Sequence, residues 1–321
     1  MSKRVKAWLI AATSLILVGC ILFAGVMTVL KWDFKKLTTI RYTTKTHTVT
    51  EPFVNVSVKA DSVADVTILP SKDGVASVVC CEQENLAHTV SVEGDTLTIE
   101  VNDTRKWYQH IGIGSGNTAV TVYLPVGTYG DLTVKTSTGD VSISEGFTFA
   151  AVDVAVSTGH ITCAASAVGE MKLKASTGDI RLADATAGSV SLSVSTGKVA
   201  VSSVACGGEM KVTVSTGDAT LADVTCGELS SSGSTGDLTL KKVVATADFT
   251  IKRSTGNVTL DACDAATLTI TTTTGDVKGS LLTEKVFVTS TDTGTVRVPE
   301  SIHGGKCKIT TDTGDIHITL V

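Results

Sequence analysis

Two patterns of apolar and polar residues divide this chain. From Ala7 to Leu30 it runs 24 residues without a charged side chain. As a helix that run would be about 36 Å long, enough to cross a hydrocarbon core of about 30 Å. It is apolar all round, so it lacks the polar stripe of a helix packed on a soluble core. Beyond residue 43 the period drops to two. Apolar residues alternate over Phe53–Val58, Val63–Leu69, Val75–Cys80, Leu97–Val101 and Ala119–Leu124, which predicts strands.

From residue 131 the alternation becomes a repeat. Ser137-Thr138-Gly139-Asp140 recurs nine times, and the glycines stand 19 or 20 residues apart. They are Gly139, Gly159, Gly178, Gly197, Gly217, Gly236, Gly256, Gly275, Gly294 and Gly314. Two and four residues after the glycine come pairs such as Ile180 and Leu182; seven and five before it come pairs such as Met171 and Leu173. Each repeat therefore reads strand, turn, strand, with one dry and one wet face. One repeat cannot bury its own apolar face, but stacked repeats build a continuous core.

The predicted fold is all-β, a parallel β-solenoid of about ten rungs about 4.8 Å apart. No proline lies between Pro125 and Pro299, as a hydrogen-bonded ladder requires. The glycines are read as structural corner residues with positive φ, and the following Asp or Asn as turn chemistry. The expected organisation is a basic tail (1–6), a transmembrane anchor (7–30), a juxtamembrane linker (31–42), a β cap (43–130) and the solenoid (131–321). The cap is expected to be antiparallel or irregular and to cover the first rung. The last strand, Asp315–Val321, shows no cap in the sequence and reads as an open end.

Charge refines this picture. Residues 1–41 carry +6 and the remainder −11, within a net charge of −5. An acidic body lacks the basic footprint of a nucleic-acid binder. Lys3, Arg4 and Lys6 before the anchor nearly balance Lys31, Lys35 and Lys36 after it, so charge hardly sets the orientation. Leu17-Val18-Gly19-Cys20 imitates a lipobox, but ten more apolar residues follow it. Aromatic residues are only 4% of the chain, and Phe147, Phe149, Phe249 and Phe287 are the only ones in the array. They are expected inside, leaving no platform for sugar rings.

Candidate chemistry is sparse. Asp292-Thr293-Gly294 and Asp312-Thr313-Gly314 imitate the aspartic-protease motif, but they lie one repeat apart where other rungs carry Ser, and two facing lobes are needed. The aspartates after the glycines form a row that His160, Lys198, Asn257 and Thr295 interrupt, and no calcium-roll motif accompanies it. Paired threonines of an ice-binding face occur only at Thr269 and Thr271; neighbouring rungs carry Lys172 with Lys174, Ser191 with Ser193, and Thr250 with Lys252. Cys206 and Cys226 should stack within disulfide range and read as buried small hydrophobes. No catalytic residue, metal ligand or cofactor site is expected. Lys106-Trp107-Tyr108, before a loop holding Gly112, Gly114 and Gly116, is either an apolar plug over the cap or a partner contact.

The Ser-Thr-Gly-Asp array resembles the bacterial β-strand-repeat family of unknown function labelled "putative adhesin", which includes LiaG-like envelope proteins. Lys31-Trp32-Asp33-Phe34-Lys35-Lys36-Leu37, Arg105-Lys106-Trp107-Tyr108 and Val122-Tyr123-Leu124-Pro125 add to the likeness. The resemblance implies a single-pass membrane protein displaying a solenoid outside a bacterial cell, with no established enzymatic activity or ligand. The expected function is a cell-envelope scaffold or adhesin-like binding surface. Its expected partners are the membrane through the N-terminal helix, an envelope protein or glycan, and further copies of itself. The alternative is a cytoplasm-facing β-helix that polymerises through the open end, as bactofilins do. A β-helix enzyme acting on polysaccharides ranks third.

Overall fold

The computed structural model describes residues 2–33, 42–83, 86–103 and 118–321. Helix Lys3–Val29 is capped by Ser2, whose hydroxyl accepts from Val5 N. By length and composition it could cross a membrane, with a mean hydropathy of 2.5 in its most apolar window. The other elements are strands of one continuous sheet, 27 among the described residues.

Each rung is two strands meeting at the corner glycine, for example Glu170–Thr177 and Ile180–Ala187. Equivalent strands of successive rungs pair in parallel and in register: Met171 with Val190, Val190 with Met210, Met210 with Leu229. The inward columns form one core, and Phe149 and Phe249 are fully buried in it. Beneath the array, Phe53, Tyr129, Phe147 and Phe149 pack ring on ring, 5.8–6.3 Å between centroids. Tyr129 Oη donates to Pro125 O at 2.7 Å, which satisfies the hydroxyl of that half-buried ring.

The corners show why glycine recurs. All ten repeat glycines have φ between +125° and +154°. A Cβ at any of them would lie 1.9–2.2 Å from a backbone carbonyl oxygen of the neighbouring rung. Stacking at the corner is therefore backbone on backbone, and no side chain fits.

A second bend escapes the repeat pattern. Asp184, Ser203, Asp223, Lys242 and Ala262 all adopt φ of 50–55°, six residues after their glycines. Each drops out of the ladder and shifts the alternation. Inward residues thus fall at Ile180 and Leu182, then at Ala185 and Ala187.

Two regions depart from the sequence reading. The expected boundary at residue 130 falls inside strand Gly127–Thr138. Below it, strand Asn55–Pro70 pairs in parallel with Gly127–Thr138 and Val141–Ile143, so it is itself a rung. The antiparallel part is Tyr42–Val49 on Ala76–Gln83, Ala76–Gln83 on Thr118–Leu124, and Leu86–Glu93 on Thr96–Asp103.

The second departure corrects the open C-terminal end. Strand Ile316–Leu320 lies between two partners, Val277–Leu281 and Val296–Arg297. Likewise Gly305–Thr313 lies between Thr267–Thr274 and Lys285–Thr293. The last two rungs are exchanged in the stack: the later one is inserted, and Lys285–Arg297 forms the edge. Core chemistry accounts for the order. The inserted rung offers Cys307, Ile309, Ile316 and Ile318, all buried. The edge rung puts Thr289 where Ile270 and Ile309 stand, turns Val286 and Val288 outward, and precedes Pro299. Edge positions tolerate such a sequence better than interior ones.

Candidate functional site

The row of residues after the glycines acts on the backbone. Asp140 Oδ1 accepts from His160 N at 2.8 Å, Asp179 Oδ1 from Lys198 N at 2.9 Å, and Asp237 Oδ1 from Asn257 N at 2.8 Å. Asn257 Oδ1 serves Asp276 N, and His160 Nδ1 accepts from Asp179 N at 3.0 Å. Each side chain thus satisfies a corner N–H of the next rung, as Asx turn chemistry does. The carboxyls of Asp218, Asp276 and Asp315 are held below the usual aspartate range. Backbone N–H bonds lead for Asp218 and Asp315, and Lys278 leads for Asp276. No group of three His, Cys, Asp or Glu among the described residues is arranged to hold a metal.

The outward face of the strands before the corner is a different surface. Register stacks Lys172, Ser191, Lys211, Ser230, Thr250, Thr269 and Lys308 in one column. Beside it run Lys174, Ser193, Thr213, Ser232, Lys252, Thr271 and Thr310. Over these seven rungs neither column contains a carboxylate, so an acidic protein carries a stripe of hydroxyls and ammonium groups about 30 Å long. Carboxylates border it: Asp153 lies next in register to Lys172, and Glu170, Glu209, Glu228 and Asp248 stand two residues upstream on the same face. A groove of about 310 Å³ opens on it, lined by Thr213, Ser215, Ser232, Ser234, Lys252 and Thr271. The groove lies where Gly233 takes the place of a side chain.

Behind Gly233 sits Arg253, only 4% exposed. Its Nη1 would lie 1.7 Å from a Cβ at 233, so the guanidinium occupies the space that the glycine leaves. Nη2 donates to Ser231 Oγ at 3.0 Å, while Nε and Nη1 find no partner among the described residues. Burial lowers the pKa of this group. Sequence reasoning missed the cluster, although Ser231, Gly233 and Arg253 all interrupt apolar columns.

The cap holds a second unflagged cluster. Alternation through Val78 and Cys80 turns Glu82 inward, where it is fully buried. Its carboxylate pairs with Lys45 Nζ, accepts from His88 N at 2.6 Å and lies 3.3 Å from His88 Nδ1. Burial works to raise the Glu82 carboxyl, but the His88 N–H and Lys45 outweigh it and hold it low. Burial likewise keeps the His88 imidazole below its ordinary value, against the pull of Glu82. A cleft of about 300 Å³ adjoins this cluster, lined by His47, Glu51, Val90, Ser91 and Val92.

Other candidates from the sequence take plain places. Lys106, Trp107 and Tyr108 lie outside the described residues. Asp292 and Asp312 are exposed on neighbouring rungs, with no second lobe among the described residues facing them. Cys206 and Cys226 are free and buried. Burial pushes the thiols of Cys80, Cys226 and Cys307 up to about 12. Such thiols are poor nucleophiles at neutral pH.

The family model described as Toastrack DUF4097 matches residues 55–223 and 207–321. The chain belongs to the Toastrack family. Its matched span takes in the rung Asn55–Pro70 and the exchanged C-terminal rungs alike. Among solved structures, a putative adhesin from Bacteroides fragilis is 14% identical, with 88% of this chain and 97% of that one covered and a TM-score of 0.42. A putative lipid binding protein from Parabacteroides distasonis is 15% identical, with 88% and 98% covered and a TM-score of 0.49. A putative adhesin from the same organism is 14% identical, with 87% and 98% covered and a TM-score of 0.47. No curated protein matches the chain. Toastrack membership carries the repeat β-structure and no assigned activity.

Proposed function

We propose that this Toastrack protein is tethered by helix Lys3–Val29, stands outside the cell membrane and acts as a non-enzymatic binding scaffold of the envelope. The supporting observation is a stripe of Lys, Ser and Thr that runs seven rungs without a carboxylate on an otherwise acidic solenoid. Hydroxyls in register donate to and accept from polyol chains, while Lys172, Lys211 and Lys252 supply point charges for acidic groups. The spacing of about 4.8 Å between rungs suits a ligand that repeats along its length. An acidic envelope glycan has that chemistry. Multiple weak contacts along such a ladder add up through effective concentration, so no deep pocket is needed.

The test is co-sedimentation of the full chain, in mild detergent, with purified cell-wall glycan. The triple variant Lys172→Glu, Lys211→Glu, Lys252→Glu is expected to lose retention at least tenfold while keeping its β-sheet circular dichroism. Equal retention of the variant, or no retention of the parent, would remove the stripe as the binding surface. An enzymatic reading predicts instead release of soluble fragments from the same glycan.

A further inference from the structure

The exchanged rungs create a slot, and the slot has an evident occupant. Its floor is the rung Thr267–Thr274 with Val277–Leu281, and its lid is the edge rung Lys285–Thr293 with Val296–Arg297. Between them, Gly305–Thr313 pairs on both sides from Cys307 onward, while Ile316–Leu320 pairs with the floor throughout and with the lid at Ile316 and His317. Gly275 N donates to Thr313 O and Gly314 N to Thr293 O, each at 2.9 Å. The carboxylate ladder also passes through the insert: Asp276 Oδ1 accepts from Asp315 N, and Asp315 Oδ1 from Thr295 N.

The lid has its own fastening. Lys285, 4% exposed, reaches Asp264 Oδ1 at 2.7 Å and donates to Thr283 Oγ1 at 2.6 Å. Thr283 Oγ1 in turn donates to Asp264. Asp264 follows strand Val258–Cys263, so this clamp ties the start of the lid to a rung below the slot without using the insert. The insert also comes after the lid in the chain. It can therefore leave sideways without unthreading anything before it. The link is only residues 298–304, whose Ile302 is 86% exposed.

We propose that the C-terminal rung is exchangeable between copies: residues 305–321 of one molecule fill the slot of a second, and the reverse. The occupant is specified by what the slot already holds. It needs a strand pair with apolar residues at 307, 309, 316 and 318, and an Asp at 315 to continue the ladder. A second copy supplies the same contacts in the same register, so exchange changes connectivity and leaves the contacts unchanged. Element exchange of this kind is a low-cost route to dimers, especially through short links. This inference does not depend on the binding role proposed above.

The experiment uses full chains in detergent and the register pair Thr269 and Lys308, which face outward on the floor and the insert. Chains carrying Thr269→Cys are mixed with isotope-labelled chains carrying Lys308→Cys. The mixture is opened in sub-denaturing urea, refolded over a concentration series and treated with a short bis-maleimide. Peptide mapping then separates the 269–308 link from links to native cysteines. Exchange predicts a covalent 269–308 link between labelled and unlabelled chains that rises with concentration. A chain with both substitutions should carry the link internally at low concentration. Absence of the mixed link at every concentration, with the internal link present, would overturn the proposal. Dimers carrying only internal 269–308 links would overturn it equally, because edge-to-edge association leaves each insert at home. If the internal link is also absent, the register of the insert is wrong and the proposal falls with it.

Discussion

Replacing Gly217 by alanine tests the corner stacking that defines the solenoid. A Cβ at 217 would lie 1.9 Å from Gly197 O and 2.8 Å from Gly197 C, in a backbone with φ of +132°. Real Cβ contacts do not fall under 3.0 Å, so the rungs must part by more than about 1 Å at this corner. The bonds that resist are Gly197 N to Thr216 O and Val199 N to Asp218 O, each at 3.0 Å. Losing both costs about 1 kcal/mol each, more where the groups stay buried. Holding alanine at that φ adds about 1–3 kcal/mol. The expected loss is therefore about 3–5 kcal/mol. Gly207→Ala is the matched control: its nearest atom would be 3.7 Å away and its φ is not positive. That change should be neutral, or stabilise by about 0.5 kcal/mol through the unfolded chain. Urea unfolding of the full chain, with hydrogen exchange by peptide, reads both effects. Protection should fail first around 195–199 and 215–219. Equal stabilities for the two variants, within about 1 kcal/mol, would refute stacking as the reason for glycine.

Three further perturbations follow from the same physics. Ala262→Gly relieves a φ of 52° in a non-glycine residue and should stabilise by about 1 kcal/mol; a lower unfolding midpoint would contradict it. Arg253→Met removes a buried guanidinium whose Nε and Nη1 have no partner among the described residues and should stabilise by about 1–3 kcal/mol; destabilisation would contradict the cost assigned to those nitrogens. Acidification should loosen the cap in two steps. Stability from neutral His88 is full above its unfolded value near 6.5 and falls as pH drops below it. Stability from ionised Glu82 is full above about 4.5 and falls as pH drops below that. Limited proteolysis at pH 7 and pH 5 should show faster cleavage at Tyr42–Val49 only at pH 5; identical rates would contradict it.

The repeat was legible because strand alternation and a fixed glycine spacing are local signals. Leu268, Ile270 and Val277 stand where the period places them, all fully buried. The second bend was not legible, because Asp184, Ser203, Asp223, Lys242 and Ala262 share a backbone conformation and no side-chain chemistry. The exchanged rungs were hidden for another reason. Chain order suggests stacking order, and the contest between Thr289 and Ile309 for a core column is settled only by long-range pairing. Glu82 and Arg253 were visible in principle as charged residues at inward positions. The partners that make them clusters come from other strands, through Lys45 and His88 and through Ser231. The stripe of Lys, Ser and Thr falls between these cases. Its residues are legible as pairs on single rungs, but the run without carboxylates appears only when seven rungs are laid in register.

The most direct test of the account is the orientation of the solenoid in intact cells. A membrane-impermeant protease would be applied to cells expressing the full chain, and to the same cells after lysis as a control for cleavability. The account predicts cleavage in intact cells, at the exposed cap strand Tyr42–Val49 or the link around Ile302. Complete protection in intact cells, with cleavage after lysis, would contradict an envelope-facing scaffold and place the solenoid in the cytoplasm.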